Sequence, residues 1–120
     1  MNNPTSIFLI CPVRNADPAT NERIAAYVAG LEAAGYKVHW PTRNTRQTED
    51  ALYICGANRF ALEKADEVHV WWDPESEGSV FDLGMAFANR KTIRIANRPS
   101  VKWAPGEKSF TNLLLLIARS

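Results

Sequence analysis

Asp82 sits between Phe81 and Leu83 in an apolar stretch, shortly after Ser76, Gly78 and Ser79. A carboxylate held among apolar neighbours can act as a nucleophile or a base. The bland alternative is an acid in a helix's first turn, where it complements the helix dipole by roughly 0.3–1 kcal/mol. The Ser76, Gly78 and Ser79 group stands in front of that helix. Free N–H groups at a helix start, a glycine that admits close approach and two hydroxyl donors could cradle a phosphate or a ribose. No Gly-Lys-Ser/Thr follows, so this is not a Walker loop. The competing reading is that Ser79 simply caps the helix.

Arg14 is the second candidate. Its guanidinium suits a phosphate or carboxylate, although a loop cation can also stand in water. Pro12 belongs to the same loop. Asn58, Trp40 and Trp72 complete the candidate binding set, the tryptophans either bordering a base or filling the core. His69 alternates within an apolar strand and reads as a satisfied core residue. Cys11 has no sequence-adjacent base and is not read as a nucleophile. The histidines and cysteines show no ligand spacing, so no metal is expected, and no cofactor.

These residues need elements to position them. The apolar run 6–11, stopped by Pro12, reads as a buried strand. A helix is expected from Asp17-Pro18 to the stop at Gly35. A strand over 36–40 and a polar loop over 42–47 follow. A helix is expected from Thr48-Glu-Asp50 to Lys64, weakened by ~1 kcal/mol at Gly56. A strand over 67–72 leads to a loop over 73–79 and a helix over 80–88. A strand over 91–95, a loop over 97–107 and a helix over 109–118 complete the chain. This alternation predicts an α/β fold of the flavodoxin-like or Rossmann-like kind, with three α/β/α layers and a parallel sheet of about four to five strands. Such sheets bind ligands beyond the carboxyl ends of their strands, which puts the segments 11–15, 40–44 and 73–79 at the site.

With 120 residues, the chain is expected to form a single domain, residues 1–120. Fourteen basic and thirteen acidic side chains leave a net charge of +1, with 46% hydrophobic residues. That balance argues against a nucleic-acid polymer or a membrane surface as partner. Two cysteines and the lack of a leader-like start point to reduced thiols and a cytoplasmic location.

Three stretches together resemble the nucleoside 2-deoxyribosyltransferase superfamily, which includes the 2'-deoxynucleoside 5'-phosphate N-hydrolases. They are Ile7-Phe-Leu-Ile-Cys-Pro-Val-Arg14, Ala65-Asp-Glu-Val-His-Val70 and Gly78-Ser-Val-Phe-Asp-Leu-Gly-Met-Ala86. The last is similar to the family's Gly-x-x-aromatic-Glu-Leu-Gly-x-Ala segment, whose acid attacks the anomeric carbon. The resemblance implies cleavage of a nucleoside or nucleotide N-glycosidic bond, by transfer or hydrolysis, through a covalent intermediate on Asp82. It implies that Ser76, Gly78, Ser79 and Arg14 meet a 5'-phosphate, and that Asn58 stands where an aspartate usually helps place substrate. Phe8 stands where a tyrosine is often found. It also implies a homo-oligomer. Asp82 is one methylene shorter than the usual glutamate, ~1.5 Å of reach, and a misplacement near 1 Å can cost about 10²-fold in rate. The alternative is a nucleotide- or nucleotide-sugar-binding module of the same fold without turnover.

Overall fold

The computed structural model describes residues 4–14, 16–106 and 108–119. Four parallel strands, β1 (Ser6–Ile10), β2 (Lys37–His39), β3 (Glu67–Val70) and β4 (Thr92–Ile95), form one sheet in the order β2-β1-β3-β4. Phe8 pairs with His39 of β2 and Val68 of β3, and Val68 pairs with Ile93. The chain therefore leaves β1 toward one edge and later returns to its other side. The point where the order reverses lies between β1 and β3, and a crevice opens beyond their carboxyl ends.

β1 is apolar on both faces because both are covered. Ile7 and Leu9 pack with Ile24 and Val28 of α1 (Pro18–Ala33) and with Val38. Phe8 and Ile10 face the opposite cluster. That cluster takes Leu62 from α3 (Ala51–Lys64) and Leu83 and Ala86 from α4 (Glu77–Ala88). It takes Leu114 from α5 (Phe110–Ile117). The result is the expected three-layer α/β arrangement, with four strands.

Local chemistry sets the boundaries. Asp17 caps α1 by accepting the Thr20 N–H at 2.8 Å. Gly35, at φ 98°, ends it in the left-handed conformation that glycine adopts freely. Asp50 caps α3 by accepting the Tyr53 N–H, so the helix begins after Asp50 rather than at Thr48. It runs through Gly56 without a break.

Three expectations are corrected. The polar composition of 42–47 predicts a loop, yet Pro41–Asn44 forms a short helix, α2. Pro41 presets the first helical φ, and Asn44 Oδ1 accepts the Trp40 N–H at 2.9 Å. The fourth helix starts at Glu77, three residues before the expected Val80, because Ser76 rather than Ser79 supplies the cap. β3 ends at Val70 because Asn97 clamps the Trp72 backbone, its Oδ1 accepting the N–H at 2.8 Å and its Nδ2 donating to the carbonyl at 2.9 Å. The loop expectations at Asn15 and Glu107 fall outside the described residues.

Candidate functional site

A cleft of about 660 Å³ lies at the reversal point, within the size range of small-molecule sites. Its floor is Cys11, just past β1, and Asp82 on α4. The turn after β1 brings Val13 and Arg14 to the rim. One wall is α3, whose Ala51, Ile54, Cys55 and Asn58 recur at helical spacing on one face. The other wall is the start of α4, with Glu75, Ser76, Glu77, Gly78 and Phe81. Pro41 and Gln47 close the end near β2.

Asp82 is 8% exposed, and burial pushes its carboxyl up to about 7. Among the described residues no side chain offers it a hydrogen bond or an ion pair that would oppose this shift. A carboxylate in that state exchanges its proton near neutrality, as a group doing chemistry must. Cys11 is held by the same environment. Burial pushes its thiol up to about 12, the Thr42 hydroxyl and the Trp40 indole lower it by less, and the nearby Asp82 charge raises it. Cys11 is therefore a protonated wall rather than a nucleophile.

Ser76 caps α4. Its Oγ accepts the Ser79 N–H at 3.3 Å and lies 2.8 Å from Ser79 Oγ, so the two hydroxyls are hydrogen-bonded to each other. Ser79 is 1% exposed and lies behind the cleft surface, not on it. Asn58 is also buried. Its Oδ1 accepts from Thr45 Oγ1 at 2.7 Å, and Thr45 Oγ1 lies 3.0 Å from His39 Nε2. Phe8 stacks on the His39 ring with centroids 5.3 Å apart.

The structure thus gathers Asp82, Arg14, Asn58, Ser76 and Gly78 around one cleft. Pro12, Ser79, Trp40 and Trp72 stand outside its surface. Pro12 is buried in the turn beneath Val13 and Arg14. Trp40 packs on the α1 side of the sheet, with the Arg43 guanidinium 5.9 Å from its ring centroid. Trp72 belongs to the opposite core, where its Nε1 donates to Thr111 Oγ1 at 2.8 Å. Both tryptophans pack against the apolar clusters and not on the cleft surface.

No protein-family profile matches the chain, and no curated protein matches it. Solved structures do. The 2-deoxyribosyltransferase of Bacillus psychrosaccharolyticus superposes with a TM-score of 0.66 at 14% identity, over 76% of this chain and 71% of that one. The 2-deoxyribosyltransferase of Leishmania mexicana gives 0.59 at 22% identity, over 77% of this chain and 63% of that one. A conserved protein of Enterococcus faecalis V583 gives 0.65 at 17% identity, over 86% and 70%.

The chain has the fold of these deoxyribosyltransferases. Within that fold the cleft takes Glu75 and Glu77 from the expected segment 73–79, and it includes residues that sequence reasoning misses, among them Gln47, Cys55 and Phe81. Cys55 carries a signal, since it shares a face of α3 with Ala51 and Asn58. Gln47 carries none, because its place depends on Nε2 bonds to the carbonyls of Pro41 and Thr45 at 2.9 and 3.1 Å. Among the described residues no three His, Cys, Asp or Glu side chains converge to hold a metal, and no helix is long and apolar enough to cross a membrane.

Proposed function

We propose that the protein cleaves the N-glycosidic bond of a nucleoside, with Asp82 as the nucleophile. The observation that carries this reading is a buried, unpartnered carboxylate at the floor of a nucleoside-sized cleft, at the fold's ligand-binding end. The deoxyribosyl chemistry of the structural neighbours supports it. The ionised Asp82 attacks C1' of the sugar as the C1'–N bond breaks, and the glycosidic electron pair leaves with the base. Water or a second base then attacks C1' and frees the carboxylate, giving hydrolysis or transfer. The transition state carries positive charge on the sugar. Asp82, Glu75 and Glu77 place three carboxyl groups around the cleft against the one guanidinium of Arg14, which suits that charge.

The same inventory favours an uncharged nucleoside over a 5'-phosphate. A phosphate at the start of α4 meets Arg14 but also faces Glu75 and Glu77. We further propose a cytoplasmic homo-oligomer: Phe81 exposes an aromatic ring at the cleft rim, and Trp103, Phe110 and Leu116 are exposed near the C-terminus. Light scattering on the eluting protein tests the oligomer.

The test of activity is release of free base from a panel of 2'-deoxynucleosides, ribonucleosides and their 5'-monophosphates, followed by chromatography. Wild type should release base and Asp82→Ala should not. Equal slow release from both proteins removes the catalytic reading. The near-neutral, short-reaching Asp82 also favours a second reading, a nucleoside-binding module without turnover. That module predicts thermal stabilisation by nucleosides, about 2.7 kcal/mol at 100 times Kd, with no base released.

A further inference from the structure

We propose that Thr45, seated on His39, fixes the Asn58 carboxamide so that its NH2 group points into the cleft, and that the site thereby selects a base presenting an exocyclic carbonyl there over one presenting an amino group. This rests on the nucleoside reading above and names the edge of the base that the site reads.

The chain of contacts has a direction. Thr45 Oγ1 carries one proton, and Asn58 Oδ1 takes it at 2.7 Å. The remaining contact, Thr45 Oγ1 to His39 Nε2 at 3.0 Å, then requires His39 to donate from Nε2. Burial, and next the Arg43 charge, hold the His39 imidazole below its usual range, so it is neutral at pH 7 and its single proton lies on Nε2. Phe8 stacks on the ring at an interplanar angle of 11° and holds its plane. Thr45 is held in turn by α2, which Arg43 ties to Glu32 with two bonds of 3.0 Å.

Asn58 Oδ1 is therefore occupied, and Nδ2 keeps its two hydrogens for another partner. Among the described residues Asn58 Nδ2 is not one of the buried polar atoms that lack a partner, so it is not sealed in the core. Asn58 lines the cleft. With the sugar at Asp82 on α4, the base extends toward α3. Ile54 and Cys55 there give a flat, weakly polar wall, and Asn58 follows one turn later. An amide fixed as a donor donates to an exocyclic carbonyl and leaves an exocyclic amino group facing like hydrogens.

Two measurements decide this. The first needs no ligand: the imidazole ¹⁵N spectrum of wild type at pH 8, with the His39 signals assigned by their shift in Thr45→Val. His39 protonated at Nε2 is expected. Protonation at Nδ1 reverses the chain, turns Asn58 Oδ1 to the cleft and overturns the proposal. The second is calorimetric binding of 2'-deoxyinosine and 2'-deoxyadenosine, which present a carbonyl or an amino group at position 6 and differ also at N1, protonated only in deoxyinosine. Wild type should favour deoxyinosine by about tenfold, the ratio that corresponds to one net hydrogen bond. Thr45→Ser should keep that preference, Thr45→Val should lose it, and Asn58→Asp, which offers only acceptors, should reverse it. A preference unchanged in Thr45→Val and Asn58→Asp overturns the proposal. If neither nucleoside binds wild type, the nucleoside reading falls, and base selection falls with it.

Discussion

The hydroxyls of Ser76 and Ser79 lie 2.8 Å apart and satisfy one another at the start of α4. A phosphate placed there has to break this pair, and it meets the carboxylates of Glu75 and Glu77 beside the cleft. Adding a 5'-phosphate to a nucleoside should therefore leave its affinity unchanged or weaker, as titration calorimetry at low salt can show. Glu75→Gln combined with Glu77→Gln should tighten the monophosphate several-fold without changing the nucleoside. Tenfold tighter monophosphate binding by wild type would refute the assignment.

Asp82 should make the protein less stable as pH rises. Its carboxyl goes from 3.8 in the unfolded chain to about 7 in the fold. Between those values the folded state holds a proton that the unfolded state has released, so stability falls with rising pH. The loss begins near pH 4 and levels off above pH 7. A rise of that size corresponds to on the order of 4 kcal/mol as an upper bound. Asp82→Asn should raise Tm at pH 8 and leave it nearly unchanged at pH 4. Equal Tm differences at both values would show that burial does not control this group.

The same titration sets the activity profile. A nucleophile must be ionised, so base release should rise with pH and level off above about 7. A rate that is flat from pH 5 to 8 would mean that Asp82 titrates elsewhere or does not attack.

Much of this was legible in the residues. The apolar run before Pro12, the stop at Gly35 and the strand-helix alternation specify a parallel sheet, and a parallel sheet locates its crevice. Asp82 stood out because Phe81 and Leu83 flank it. The rest depended on contacts that spacing does not carry. Thr45 reaches Asn58 across thirteen positions, from just past one helix into the middle of the next. Ser76 and Ser79 are the same residue type at one helix start, and only geometry decides which of them caps it. Trp40 and Trp72 each combine an apolar body with an N–H group, so the sequence favours core over ligand roles without deciding between them.

Trp72 provides a control for that correction. Its indole N–H donates to Thr111 Oγ1 within the core formed by α4 and α5. Trp72→Phe removes the donor and part of the ring, and should lower stability by about 1–3 kcal/mol in chemical denaturation. Nucleoside affinity and base release should not change under conditions where the variant stays folded. A selective loss of affinity would return Trp72 to the site.

His69 makes a separate network on the other face of β3. Tyr27 Oη lies 2.5 Å from His69 Nδ1, and Glu67 Oε1 lies 2.8 Å from His69 Nε2. Glu67 accepts the Nε2 proton, which leaves Nδ1 as an acceptor for the Tyr27 hydroxyl. Burial, and next the Glu67 charge, hold the Tyr27 phenol above its usual range, so it stays protonated and donates. Neither Tyr27 nor His69 lines the cleft. Tyr27→Phe keeps the ring contact with Trp71, 6.2 Å between centroids, but leaves the Nδ1 lone pair of His69 without its partner. The expected loss is about 1–3 kcal/mol. A second variant, His69→Leu, removes the acceptor as well. The double variant should therefore lose less than the sum of the two single changes. Strict additivity in denaturation would show that the two side chains do not communicate, and a fall in base release from folded Tyr27→Phe would place the network in the mechanism.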